Sequence, residues 1–142
     1  MKRLVGSICA LATPFRGDGL DLDAFGGLID YQLASGTQGL VVAGSTGEAH
    51  ALSEAEFERA LAFALERVAG RVPVLAGTGT ANTRKTLAAT RRAQAVGADA
   101  ALVVTPYYVR PTQEGLYRHF SAIADEAGLP IVLYNVPART GC

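Results

Sequence analysis

The side chains best suited to chemistry carry hydroxyl groups and stand directly after short apolar runs of the sequence. They are Ser45, Thr46, Tyr108 and Tyr134. A hydroxyl group within hydrogen-bond reach of a substrate can both accept and donate a proton, so Ser45, Tyr108 and Tyr134 are candidates for a proton relay. The alternative for each tyrosine is ordinary packing with its hydroxyl group hydrogen-bonded.

A second candidate feature is the loop Gly44-Ser45-Thr46-Gly47-Glu48, which follows an apolar run and precedes a helix signal. Gly44 and Gly47 leave backbone N–H groups accessible, and Thr46 adds a hydroxyl group, so the loop could bind a small carboxylate or phosphate. Arg139 offers a planar guanidinium suited to a second carboxylate. A tight glycine turn and a surface arginine are the alternative interpretations.

Other kinds of site have weak support. The two histidines, His50 and His119, are far apart in sequence and have no cysteine nearby, so no metal site is expected. Gly77-Thr78-Gly79 resembles the opening of a dinucleotide-binding motif, but Asn82 occupies the place of the third glycine. A nucleophilic serine in a G-x-S-x-G motif is also missing. The sequence therefore predicts neither a metal nor a cofactor.

The composition restricts the class of protein. Of 142 residues, 49% are hydrophobic and 18% are charged, as in a globular domain with a core. Thirteen basic residues balance thirteen acidic ones, so the positive field of a nucleic-acid or membrane-surface binder is absent. Small molecules or other proteins are the expected partners. Cys9 and Cys142 lie at opposite ends, which excludes a disulfide framework and favours the cytoplasm.

The amino terminus requires a choice between two interpretations. Lys2-Arg3 followed by the apolar residues 4–12 resembles the start of a secretory signal. Because Gly6 and Ser7 interrupt the run, a buried first strand is the better interpretation. No stretch reaches the roughly 18 apolar residues of a membrane-spanning helix, so no membrane segment is expected.

The elements that would position the candidate residues repeat about every 30 residues. Short apolar runs predict five buried strands, at residues 4–11, 39–42, 72–76, 101–104 and 131–133. Segments of helical period lie between them, with capping signals at Asp21, at Ser53 with Glu56, and at Thr112. Glycines 36, 70, 97 and 128 stand where the helices should end. The helical period is least regular over residues 82–96.

Continuous apolar strands joined by helices indicate an α/β fold with a parallel sheet. Doubly wound sheets and (β/α)₈ barrels share this pattern, and both place functional residues at the carboxyl ends of the strands. A complete barrel needs about 250 residues. If the fold is a barrel, residues 1–142 would form one incomplete domain, the amino-terminal part with five strands and four helices.

The motifs, taken together and in order, resemble those of the dihydrodipicolinate synthases, which belong to the pyruvate-dependent class I aldolases. The matching segments are Ala12-Thr13-Pro14-Phe15, Gly44-Ser45-Thr46-Gly47-Glu48, Ala76-Gly77-Thr78-Gly79, Thr105-Pro106-Tyr107-Tyr108, Gln113-Glu114-Gly115, Tyr134-Asn135-Val136-Pro137 and Arg139-Thr140-Gly141. The resemblance implies a (β/α)₈ TIM barrel in which a lysine forms a Schiff base with pyruvate. The resulting enamine then attacks aspartate semialdehyde, in lysine and diaminopimelate biosynthesis.

The resemblance also implies residue roles. Ser45, Tyr108 and Tyr134 match the proton-relay triad of the family. Thr46 and its neighbouring N–H groups match the pyruvate carboxylate site, and Arg139 matches the residue that holds the carboxylate of the semialdehyde. The tyrosine matching Tyr108 reaches into the site of a neighbouring subunit, which implies a homodimer or homotetramer.

Three departures from the family pattern affect these expectations. Ser45 replaces the threonine of many members but keeps the hydroxyl group. Glu54, Phe57 and Ala81 replace residues of lysine-inhibited members, so the resemblance does not extend to inhibition by lysine. The Schiff-base lysine of the family belongs on a sixth strand beyond Cys142, and we expect neither Lys2 nor Lys85 to replace it.

Two alternatives remain open. Sialic acid lyases and keto-deoxy sugar acid aldolases share the loop around Ser45 and the Tyr134 motif, although Arg139 and the Tyr107-Tyr108 pair favour the synthase. A non-catalytic half-barrel that binds ligands or partners is the alternative of a different class.

Overall fold

The computed structural model describes residues 3–142, so Lys2 and its part in the apparent signal lie outside the described residues. Its strands are β1 (Ile8–Ala10), β2 (Phe15–Arg16), β3 (Gly19–Leu20), β4 (Gly39–Val42), β5 (Val74–Gly77), β6 (Ala100–Val104) and β7 (Ile131–Tyr134). Its α-helices are α1 (Leu22–Ala34), α2 (Glu54–Val68), α3 (Thr83–Val96), α4 (Gln113–Glu126) and α5 (Pro137–Thr140), and Ala49–Ala51 form one turn of 3₁₀ helix.

The five longer strands form one parallel sheet in the order β1-β4-β5-β6-β7. The register pairs Ile8 with Gly39, Leu40 with Val74, Leu75 with Ala100, and Ala101 with Ile131. Every residue of β4 is buried, as expected for a strand covered on both faces. The predicted α/β class and the parallel sheet are confirmed.

The first strand is shorter than the predicted run of residues 4–11. Gly6 has a φ of 74° and lies against the side chain of Gln38, whose Oε1 accepts a hydrogen bond from the N–H of Ser7 at 2.8 Å. This left-handed residue prevents an extended strand from beginning earlier. Regular pairing therefore starts at Ile8.

The sheet carries its helices on one face. Residues from α1 to α4 share a single buried cluster with alternate strand residues such as Leu40, Val42 and Ala76. The intervening strand residues, among them Val41, Leu75 and Ala100, form a second cluster on the opposite face of the sheet. A doubly wound sheet has helices on both faces, so this arrangement is that of an incomplete (β/α)₈ barrel.

The predicted caps and stops are present at the helix ends. Asp21 and Thr112 accept hydrogen bonds from Ala24 and Gly115 at 3.0 and 3.1 Å, and Ser53 forms the capping box with Glu56. The N–H of Ala24, with the guanidinium of Arg16, holds the pKa of the Asp21 carboxyl below its ordinary value. The four predicted glycine stops all have positive φ.

Two elements were not predicted, and the least regular of the four expected helices is confirmed. A short antiparallel hairpin pairs β2 with β3 before α1. Residues 83–96 form a full helix although few large apolar side chains mark it, because its buried face consists of Thr86, Thr90 and Ala93. The single turn α5 is a fifth helix, with Pro137 in its first turn.

No α-helix within residues 3–142 is both long enough and apolar enough to cross a bilayer.

Candidate active site

Residues at the carboxyl ends of β4, β5, β6 and β7 border a cavity of about 350 Å³. Its wall includes Ser45, His50, Thr80, Lys85, Tyr107 and Tyr134. The structure therefore brings together two of the predicted relay residues, Ser45 and Tyr134, which are 89 positions apart in sequence. Thr46, Tyr108 and Arg139 do not line this cavity.

The loop after β4 is folded by its two glycines. Both Gly44 and Gly47 are buried. A Cβ atom on Gly47 would lie 2.9 Å from the carbonyl oxygen of Leu11 and 2.9 Å from Oγ1 of Thr13, and that hydroxyl group donates to the carbonyl of Gly47 at 2.7 Å. Only glycine fits this position without displacing its neighbours.

The same loop leaves its binding groups unpartnered. Within residues 3–142, the hydroxyl groups of Ser45 and Thr46 make no hydrogen bond, and no protein acceptor takes the N–H groups of Ser45, Thr46 or Gly47. Both side chains are exposed. Adjacent free N–H and O–H donors form a site complementary to a small anion.

Tyr134 ends β7 and is half-buried, and its carbonyl accepts from the N–H of Thr105 at 2.8 Å, which continues the pairing with β6. Tyr108 is different, because its side chain is 93% exposed and its φ is 71°. The N–H of Val109 donates to the carbonyl of Tyr107 at 2.9 Å, so Tyr108 is the centre of a γ-turn of the rarer, strained kind. Its phenol extends into solvent.

Arg139 lies on α5 and is exposed, and no described residue hydrogen-bonds or ion-pairs with its guanidinium. The turn that carries it is firmly built. The buried hydroxyl of Thr140 donates to Oδ1 of Asn135 at 2.7 Å, and Nδ2 of Asn135 donates to the carbonyl of Cys142 at 3.0 Å. A rigid turn thus presents an unpaired guanidinium beside the end of β7.

In the loop after β5, the threonine hydroxyl groups are hydrogen-bonded within the protein. Oγ1 of Thr78 lies 2.8 Å from Oγ1 of Thr90, which donates to the carbonyl of Thr86 at 2.8 Å, and Oγ1 of Thr86 lies 3.1 Å from Oγ1 of Thr80. A Cβ on Gly77 would be 1.9 Å from the carbonyl oxygen of Ala43. The Gly-Thr-Gly segment is therefore a close-packed connection between strands and helix α3.

The two histidines have separate positions. His50 is exposed on the cavity wall, whereas His119 is only 5% exposed between α3 and α4. Nδ1 of His119 lies 2.9 Å from Oγ1 of Thr83, Nε2 has no partner, and burial lowers the pKa of the ring. Over residues 3–142, no group of three or more His, Cys, Asp or Glu side chains is arranged to hold a metal ion.

Sequence reasoning missed that helices α2 and α3 form one wall of the cavity. Arg92 spans the two helices through ion pairs with Glu54 at 2.7 Å and Glu58 at 2.8 Å. Phe57 also lines this wall, and Lys85 stands exposed in the first turn of α3. The sequence could have indicated this wall, because residues spaced three and four apart share one face of a helix. On α3 these residues are Lys85, Ala88, Ala89 and Arg92.

A parallel sheet with helices on one face and polar loops at its carboxyl edge is the arrangement of the (β/α)₈-barrel class of proteins. Within that class, the family model described as the dihydrodipicolinate synthetase family matches residues 3–142. The chain belongs to this family.

Individual relatives agree with this assignment. The chain is 67% identical over 140 residues to the 4-hydroxy-tetrahydrodipicolinate synthase of Xanthomonas axonopodis pv. citri (strain 306), covering 98% of this chain and 46% of that protein. It therefore spans about half the length of the curated relatives it matches.

Solved structures share the fold. The 4-hydroxy-tetrahydrodipicolinate synthase of Methylacidiphilum fumariolicum SolV superposes with a TM-score of 0.95 at 40% identity, over 98% of this chain and 46% of that one. The dihydrodipicolinate synthase of Acinetobacter baumannii, solved in complex with pyruvate, superposes with a TM-score of 0.92 at 46% identity, over 96% of this chain and 47% of that one.

Proposed function

We propose that the whole protein carrying this chain condenses pyruvate with aspartate semialdehyde, the reaction that opens lysine and diaminopimelate biosynthesis. The observation that carries the proposal is the pairing of Ser45 and Tyr134 on one cavity in a member of this family. The pyruvate bound to the Acinetobacter baumannii relative supports the choice of the first substrate.

We assign the loop after β4 to the binding of the pyruvate carboxylate. Its free N–H groups and the hydroxyl of Thr46 would donate hydrogen bonds to the carboxylate oxygens, and these bonds are strengthened by the charge of the acceptor. Gly44 and Gly47 are assigned to the same loop, and at Gly47 the close carbonyl oxygen of Leu11 leaves no room for a side chain. One end of the substrate is thereby fixed, so that its carbonyl carbon faces the cavity.

The relay is assigned to Ser45, Tyr134 and Tyr108. Formation of an imine between a lysine and the pyruvate carbonyl releases water, loss of a C3 proton gives the enamine, and the aldehyde oxygen gains a proton when the carbon–carbon bond forms. Each of these steps moves a proton, and over the sequence of steps a hydroxyl group can accept one proton and donate another. Lys85 is exposed on α3, so the amine is assigned to a lysine outside this chain.

Arg139 is assigned the carboxylate of the semialdehyde, since its guanidinium is unpaired and can bind a carboxylate through two parallel hydrogen bonds. Tyr108, exposed and without contacts of its own, is assigned to the site of a second subunit, so the protein would act as a homodimer or homotetramer. The free cysteines Cys9 and Cys142 and the balanced charge support a cytoplasmic location.

The test uses the protein at the length of its curated relatives, assayed with pyruvate and either aspartate semialdehyde or a sugar acceptor. We expect turnover with the semialdehyde and a lower rate for Tyr134→Phe, which keeps the ring. Turnover of pyruvate with the sugar acceptor but not with the semialdehyde would establish the sugar acid aldolase. The absence of turnover with either acceptor would favour the non-catalytic half-barrel.

Borohydride reduction in the presence of pyruvate tests the assignment of the amine. We expect a pyruvyl adduct on a lysine beyond position 142 and none on Lys85, so Lys85→Arg should leave the amount of adduct unchanged. Peptide mapping that located the adduct on Lys85 would contradict the proposed nucleophile.

A further inference from the structure

The segment that carries Tyr108 has an unusual backbone. Tyr108 and Arg110 both have positive φ, 71° and 43°, and neither is glycine. A proline stands on each side, at positions 106 and 111. Non-glycine residues persist in this region only when the surrounding structure holds them there. Some contact outside the segment must therefore fix its conformation.

One contact of this kind lies between Arg110 and Gly141. A Cβ atom on Gly141 would lie 2.7 Å from Nε of Arg110 and 3.2 Å from its Cδ and Cγ atoms, so the arginine stem lies directly on the glycine backbone. Throughout residues 3–142, the guanidinium has no hydrogen-bond or ion-pair partner. Packing of the stem, rather than charge pairing, joins the two segments.

Gly141 belongs to the rigid turn described above. The side chain of Thr140 is 2% exposed, and Asn135 holds the turn through two side-chain hydrogen bonds. Arg139 stands in the same turn, two residues before Gly141. The Arg110 stem therefore rests on a fixed base that also carries the proposed carboxylate-binding residue.

We propose that Arg110 is a positioning residue, whose stem on Gly141 fixes the direction in which Tyr108 leaves the chain and sets it relative to Arg139. The proposal rests on the proposed function for the role of the Tyr108 hydroxyl. Within residues 3–142 the phenol has almost no packing to orient it, so the direction in which it leaves its own chain is set by its backbone. Small displacements of a relay group are costly, because proton transfer requires hydrogen-bond distance.

The first test compares Arg110→Ala with Arg110→Lys in the full-length protein. We expect Arg110→Ala to lower kcat by about tenfold or more and to leave the KM for pyruvate within about twofold. Arg110→Lys should restore most of kcat, since the lysine stem can still cover Gly141. An Arg110→Ala variant with wild-type kcat would overturn the proposal.

A double variant separates positioning from general destabilisation. If Arg110 acts through Tyr108, adding Arg110→Ala to Tyr108→Phe should cause no further loss of kcat, because the hydroxyl it positions is already gone. Losses that multiply would show that Arg110 acts by another route, such as binding the substrate directly, and would overturn the proposal.

Gly141→Ala tests the contact from the other side, with Gly36→Ala as its matched control. Both glycines have positive φ, 67° and 79°, but a Cβ on Gly36 meets nothing within 4 Å. Both variants acquire backbone strain, and only Gly141→Ala displaces Arg110. We expect a lower kcat for Gly141→Ala and wild-type kcat for Gly36→Ala; equal effects would contradict the proposed contact.

Amide hydrogen exchange at Val109 reports the γ-turn independently of turnover, because its N–H donates to Tyr107. We expect faster exchange in Arg110→Ala and Gly141→Ala than in the wild type or Gly36→Ala. Should the wild type fail to turn over pyruvate and aspartate semialdehyde, the proposed function is wrong and this exchange measurement alone decides the positioning. Unchanged exchange in both variants would overturn the proposal.

Discussion

The loops that follow the neighbouring strands β5 and β6 have similar sequence character but opposite structures. Both contain hydroxyl-bearing residues directly after a buried strand. In the loop of residues 77–80, each threonine hydroxyl is hydrogen-bonded to another group in the loop or in α3. In the loop of residues 105–110, Tyr108 projects into solvent from a strained turn.

The difference shows that polar residues at strand ends do not by themselves identify reactive groups. A hydroxyl group that already donates and accepts within the protein contributes to stability, and one without protein partners can bond to a substrate. The comparison therefore predicts that substitutions in the loop after β5 change the free energy of unfolding, whereas substitutions in the loop after β6 change turnover. Three experiments on the full-length protein test this division, and a fourth measures a smaller effect at His119 on α4.

The largest effect is expected for Gly77→Ala, at the last residue of β5, from which the loop leaves. A Cβ atom 1.9 Å from the carbonyl oxygen of Ala43 forces two strands apart, and the cost should exceed about 4 kcal/mol. Soluble yield and thermal unfolding measure it. Gly27→Ala in α1 is the control, since its Cβ meets nothing within 4 Å and alanine should stabilise the helix by up to about 1 kcal/mol. A stable Gly77→Ala variant would contradict the close packing.

Tyr108→Phe should reduce kcat by about 10² to 10⁴, the usual contribution of general acid–base catalysis, and leave the thermal unfolding temperature unchanged. The phenol is exposed, so its hydroxyl group contributes no packing. Steady-state kinetics and calorimetry on the same preparation measure both quantities. A variant with full turnover would remove Tyr108 from the relay.

Thr90→Val should destabilise the protein by about 1 to 3 kcal/mol with kcat unchanged, because it leaves the buried hydroxyl of Thr78 without its partner. Thr90→Ser keeps the hydroxyl group and serves as the matched control. Urea denaturation gives the free energy of unfolding. If Thr90→Val instead lowered kcat at unchanged stability, the loop after β5 would have a role in turnover.

The smallest effect concerns His119 and pH. Burial lowers the pKa of this ring below its ordinary value, so the unfolded chain takes up a proton at a higher pH than the folded one. The stability from the neutral ring is present above about pH 6.5 and is lost as the pH falls through the lower folded pKa. The slope from one proton cannot exceed about 1.4 kcal/mol per pH unit.

Urea denaturation between pH 7.5 and pH 5.5 tests this expectation, with His119→Asn as the comparison variant. The asparagine side chain can still hydrogen-bond Thr83 but does not titrate, so its stability should fall less on acidification. Parallel pH profiles for the wild type and the variant would assign the acid sensitivity to other groups.

The sequence predicts best those features that depend on neighbouring residues. The capping box at Ser53 and Glu56 and the glycine stop at Gly97 are local arrangements, and both are present. The hairpin of β2 and β3 has two residues per strand, which is too short for a period of two to be recognised. The buried face of α3 is hard to identify from the sequence, because Thr86 and Thr90 have polar side chains and do not mark an apolar face.

The sequence predicts at which edge of the sheet the candidate site lies, but not which of its hydroxyl groups have protein partners. Strand periodicity places Ser45 and Tyr134 at the same edge, and the cavity confirms that they lie together. The satisfied hydroxyl of Thr78 and the unpartnered one of Ser45 cannot be distinguished from sequence, because their partners lie on other elements. The direction of Tyr108 depends on a contact between residues 110 and 141, which no local pattern encodes.

The order of the strands in the sheet has a consequence for the synthesis of the chain. Each strand of the parallel sheet pairs with the one made just before it, and paired residues such as Leu75 with Ala100 and Leu40 with Val74 are 25 to 34 positions apart. A nascent chain can therefore add one strand and its helix at a time to an edge that is already formed, without waiting for distant segments to emerge from the ribosome. Because each new strand pairs with one that has already been made, this part of the chain is suited to folding while it is being translated.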